Sequence, residues 1–128
     1  MQGMALIIRA YEGLPLSTME FGEPPTLQFL QNAVNGYLEV VPGFDTLARR
    51  HFDDEAAKSF RRYGDVARCV AFCNEEGKLR NLQYNGRATE LWQLALRRAR
   101  PRSTQLFFDY LVGDVVILTG DDEFMAAL

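Results

Sequence analysis

Asn85, Gly86, Arg87 and Thr89 stand together at the mouth of a helical pattern, in the stretch NEEGKLRNLQYNGRATELW at residues 74–92. The first backbone N–H groups of a helix have no partner within it, and the helix dipole places partial positive charge there. With a guanidinium at Arg87 and a hydroxyl at Thr89, this entry suits a small anion such as a phosphate or nucleotide. The same residues also make a plain strand–turn–helix junction, in which Asn85 caps the helix, Gly86 relieves a tight entry and Arg87 is solvated. A phosphate loop carries more glycines and a Lys-Ser/Thr pair than this stretch does.

Tyr37 and Glu39 lie two apart just beyond Gly36, on one face of a predicted strand. A phenol beside a carboxylate can act as an acid–base pair with Glu39 as the base, and a wet strand face accounts for the same residues. The densest positive run is RRARPR, with Arg97, Arg98, Arg100 and Arg102 followed by Phe107, Phe108 and Tyr110. Basic residues with aromatics are what single-strand binders use, while arginines at a helix end also suit its dipole. Arg61 and Arg62 close another predicted helix in the same way and are candidate partner contacts. Two acidic runs, at residues 53–55 and 121–123, and a net charge of −3 oppose a long polyanion.

His51 sits between Arg49-Arg50 and an acidic run, with no nucleophile nearby in sequence, and reads as a surface histidine. Cys69 and Cys73 share one face of a predicted strand about 13 Å apart, at ~3.3 Å per residue, too far to pair. Two cysteines and one histidine do not make a zinc site, and residues 121–123 offer too few ligands for a calcium loop. No metal, no cofactor and no catalytic set is expected.

The elements that must position these residues follow from periodicity. MALIIRAY and LPLSTMEF read as strands around a turn at Glu12-Gly13, with Pro15 near the start of the second. EPPTLQFLQNAVNGY reads as a helix entered through prolines, with Thr26 as its cap or in its first turn, and closed by Gly36 in the left-handed region. YLEVVPG is a strand. Residues 45–63 read as a polar helical insertion with a break at Asp53, and Leu47, Phe52, Ala56, Phe60 and Tyr63 as its apolar stripe. In DVARCVAFC both faces are mostly apolar, which predicts a central strand covered on two sides. Gly77 in the following NEEGK is expected at positive φ.

Ala88, Leu91, Trp92, Ala95, Leu96 and Ala99 then recur at helical spacing from the cap Asn85. A last strand is expected at 115–119 and a short tail at 120–128. Together these give one α+β domain, a mainly antiparallel or mixed sheet of about four to five strands packed by two main helices. Edge strands near residues 4–11 or 115–119 would let two copies pair into a dimer.

The 128 residues, 48% hydrophobic and 24% charged, suit one globular domain. The opening apolar run at residues 4–8 is too short for a leader or a membrane span, so a cytoplasmic protein without a membrane partner is expected.

Four pieces in order, LQFLQNAVNGYLEVV, NEEGKLRNL, YNGRATEL and VGDVVIL, resemble a small family of uncharacterised proteins from bacteriophages, plasmids and bacterial genomes. The resemblance implies a compact α+β domain and a mobile-element setting, and it hands over no catalytic residues. The chain departs from the family pattern at residues 44–64 and at Leu82-Gln83-Tyr84-Asn85. The expectation is a non-enzymatic binding module, an accessory protein that holds a host protein or a small anion stoichiometrically. The rivals are a small enzyme acting on a nucleotide-like anion through Glu39, and a nucleic-acid regulator using the arginines at 97–102.

Overall fold

Alternation of side chains sets the centre of the molecule. The computed structural model describes residues 1–52, 60–102 and 109–128. Its strands are β1 (Gly3–Ile8), β2 (Ser17–Phe21), β3 (Leu38–Val40), β4 (Thr46–Ala48), β5 (Val66–Asn74) and β6 (Val115–Gly120). Its helices are α1 (Leu27–Val34), α2 (Gly86–Ala99) and α3 (Asp122–Ala126), with single 3-10 turns at Arg49–His51 and Arg61–Tyr63.

The strands form one antiparallel sheet in the order β2-β1-β6-β5-β3, and β4 also pairs with β5. β3 and β4 take opposite ends of the same side of β5, Leu38 facing Asn74 and Thr46 facing Arg68. Pro42, which cannot donate to a ladder, falls in the gap between them.

Both faces of the sheet are covered. Met4, Leu6, Ile8, Cys69, Ala71, Cys73, Val115 and Ile117 point to one side, where Ala88, Leu91, Trp92 and Ala95 of α2 bury them. Ala5, Val116 and Leu118 point to the other, against Leu30 and Val34 of α1 and Phe124 and Met125 of α3. The result is three layers, helix–sheet–helices, in one α+β domain. β5 carries apolar residues on both faces, as its sequence pattern requires.

The structure corrects several local expectations. Residues 45–63 are not helical from their start: Thr46–Ala48 is a strand on β5, followed by a 3-10 turn. The break at Asp53 and the stripe position Ala56 lie outside the described residues. Leu47, Phe52 and Phe60 are core residues all the same. The second strand begins at Ser17, beyond Pro15.

Asn35, with φ of 62°, takes the left-handed position closing α1 in place of Gly36. Gly36 makes room instead, since a Cβ there would stand 2.7 Å from Asn74 Nδ2. That amide donates to the Val34 and Asn35 carbonyls that the helix end leaves over. After β5 the positive φ falls at Asn81 rather than Gly77. Residues 4–8 and 115–119 are interior, because β1 lies between β2 and β6, and β6 between β1 and β5. Among the described residues the open edges are β2 on one side and β3 with β4 on the other.

Candidate functional site

The helix entry is built as a junction. Asn85 is 1% exposed. Its Oδ1 accepts from Ala88 N, capping α2, while its Nδ2 donates to the carbonyls of Ile8 and Gly113, each at 2.9 Å. One side chain thus ties α2 to the end of β1 and to the loop before β6. Thr89 is buried too, its hydroxyl donating to Asn85 O and accepting from Leu111 N.

Both polar side chains are fully engaged within the fold, so of the predicted anion set only Gly86 and Arg87 face outward. They line a cavity of about 440 Å³ together with Arg9, Tyr11, Glu12 and Glu90. Arg9 is paired with Asp114 at 3.1 Å, and the Arg87 guanidinium lies 5.7 Å from the Phe52 ring centroid. Two carboxylates face the two guanidiniums, which leaves no net positive field for an anion.

Tyr37 and Glu39 part company. Tyr37 lines a shallow depression with Gln28, Gln31 and Asn32 of α1. Glu39 belongs to a different cleft, of about 240 Å³, between β3, the turn after β5, α2 and residues 109–112. The apolar lining of that cleft includes the nearly buried Val41, Trp92, Leu111 and Cys73 and the exposed Val40 and Leu79, and its charged groups are Glu39, Glu75, Lys78 and Asp109. Trp92 is fixed by its ring N–H, which donates to Pro42 O at 2.8 Å.

Three groups with shifted ionisation, Cys73, Lys78 and Asp109, line this cleft. Burial first, then the Glu39 carboxylate, pushes the Cys73 thiol up to about 11. A hydrogen bond from Lys78 holds the Asp109 carboxyl below its usual range, and the same bond raises Lys78. A half-open apolar cleft with a few convergent polar groups and shifted titrations is the usual form of a binding site.

The predicted basic surface divides. Arg98 donates to the hydroxyl and carbonyl of Thr46, locking α2 to β4. Arg62 pairs with Glu20 and lies 5.7 Å from the Tyr63 ring centroid. Arg97, Arg100 and Arg102 are exposed. The side chain of Arg61, and Phe107 and Phe108, fall outside what is described. His51 is half-buried, and burial, then Arg50 and Arg98, lowers its pKa. Cys69 is buried and free, its thiol raised further by burial.

Cys73, Trp92, Lys78 and Asp109 were not legible as a site, since they come from β5, α2, a turn and a loop. The Lys78–Asp109 pairing spans 31 positions and follows no motif spacing. No family model matches the chain, and neither a curated protein nor a solved structure matches it. The motif resemblance therefore stands on its own residues. No helix among the described residues is long and apolar enough to cross a membrane.

Proposed function

We propose that the chain is a non-enzymatic binding module that engages a protein partner stoichiometrically through the cleft beside β3. The observation that carries this reading is the cleft's composition: an apolar lining that includes Trp92, Val41 and Leu111 beside the charges of Glu39, Lys78 and Asp109. Its cysteine is poorly suited to catalysis. A thiol raised to about 11 stays protonated at neutral pH, and the thiolate is the nucleophile. Tyr37, the acid–base partner suggested by spacing, lines another depression. The mobile-element setting implied by the motif resemblance fits a small protein that acts by occupying a host protein.

A small anion at the entry of α2 is the alternative, and Glu12 and Glu90 beside Arg9 and Arg87 in the cavity there count against it.

Trp92 is the chain's one tryptophan and lines the cleft, so its fluorescence reports occupancy. Titration with fragments carrying aromatic or amine groups is expected to change Trp92 emission with one-to-one saturation and no turnover. Turnover of a bound compound that is lost in Glu39→Gln, with folding intact, would replace the binding reading by the enzymatic one.

A further inference from the structure

The cleft already holds a cation. The Lys78 ammonium donates a hydrogen bond to Asp109 Oδ1 and lies 4.3 Å from the centroid of the Tyr110 ring. Tyr110 in turn packs against Tyr84, ring centroids 6.1 Å apart. A carboxylate beside an aromatic face is a receptor for an ammonium or guanidinium group. Lys78 reaches it from a turn with its side chain 50% exposed, and Asp109 is 60% exposed, so water screens the pair and holds it weakly. Glu39 and Glu75 add two more carboxylates, and among the described lining residues Lys78 is the only cation. Charge selects a cationic occupant.

The neighbouring strand indicates what carries that cation. Tyr37 O accepts from Glu75 N, and Val41 N donates to Ala71 O. In an antiparallel ladder the peptide groups of the intervening Leu38 and Val40 therefore turn to the opposite side. No strand pairs there among the described residues. An extended segment laid along this edge gains main-chain hydrogen bonds, and its alternate side chains fall on the Glu39 face, beside the cleft. Val40, 57% exposed, gives the segment an apolar neighbour on the other face.

We propose that the β3 edge takes an extended basic segment of a partner protein by strand addition, one lysine or arginine of which displaces Lys78 from Asp109 and Tyr110. The inference rests on the cleft reading above and adds the chemistry of the occupant. Lys78 is then a built-in competitor, and affinity is set by the difference between two cations in one receptor.

The test uses the full ¹⁵N-labelled chain as wild type, as Lys78→Met, and as Lys78→Met with Asp109→Asn. The probes are a short capped peptide alternating valine and lysine, the same peptide with norleucine for lysine, and n-butylammonium. The lysine peptide is expected to shift the amides of Leu38, Val40 and Tyr110. It should bind Lys78→Met about threefold more tightly than wild type and lose about threefold when Asp109→Asn is added. The norleucine peptide and n-butylammonium should both bind more weakly than the lysine peptide.

Equal affinity of the lysine and norleucine peptides overturns the cationic occupant while leaving the cleft a binding site. Equal affinity of n-butylammonium and the lysine peptide overturns strand addition. Lysine-peptide binding no tighter in Lys78→Met than in wild type removes the competitor role and with it the proposal. If every probe leaves Val41, Lys78 and Tyr110 unmoved, the cleft reading falls as well.

Discussion

The entry of α2 and the cleft beside β3 are both polar, and they differ in what surrounds the polar groups. At the entry, Asn85 and Thr89 are buried and every hydrogen-bonding group of their side chains has a partner inside the fold. At the cleft, Lys78 and Asp109 are half or more exposed and paired with each other. A buried polar group must be satisfied internally or it costs stability, so the first arrangement holds the chain together. An exposed pair beside apolar surface can exchange partners at little cost, so the second suits recognition.

The contrast can be broken by mutation, beginning where the effect is largest. Asn85→Ala removes the α2 cap and the donor shared by Ile8 O and Gly113 O. It is expected to lower the unfolding free energy by about 3 kcal/mol or more, read from the urea midpoint at unchanged slope. A loss as small as that of a solvated cap would reduce the entry to an ordinary helix start. Thr89→Val comes next. It leaves Leu111 N without its acceptor and should cost about 1–3 kcal/mol in the same assay.

The cleft should respond weakly in stability and measurably with pH. Lys78 and, secondarily, the Tyr110 N–H hold the Asp109 carboxyl low. A carboxyl lowered on folding adds stability above its ordinary range, near about 3.9, and loses that contribution as pH falls through the lowered value. Because the pair is exposed, the contribution is about 0.5 kcal/mol or less. Asp109→Asn should therefore flatten a small part of the acid limb of the stability curve and leave the neutral value nearly unchanged. An acid limb identical to wild type would show that the pair does not form in solution.

Periodicity carried the elements whose partners are regular. The two apolar faces of β5 and the helical spacing of residues 88–99 are visible because each side chain packs on an extended layer. The Asn85 cap was legible from type and place, while its bonds to Ile8 and Gly113 were not, being 77 and 28 positions away. Thr46–Ala48 reads as helix because Leu47 heads a series whose later members, Phe52, Ala56, Phe60 and Tyr63, fall at helical spacing, and only pairing with β5 makes it a strand. Edge position depends on sheet order, which no local pattern carries; hence β1 and β6 look like edges in the sequence and lie inside. Of the cleft, Glu39 and Tyr110 were visible, each read toward a different site.

The most direct measurement is ¹H–¹⁵N chemical-shift mapping of the wild-type chain with an aromatic amine and, separately, with inorganic phosphate. The account predicts saturable shifts from the amine at Val41, Lys78, Tyr110 and the Trp92 ring N–H, with Gly86 and Arg87 still under phosphate. Saturable phosphate shifts at Gly86 and Arg87, with the cleft silent to both probes, would contradict it and move the functional site to the entry of α2.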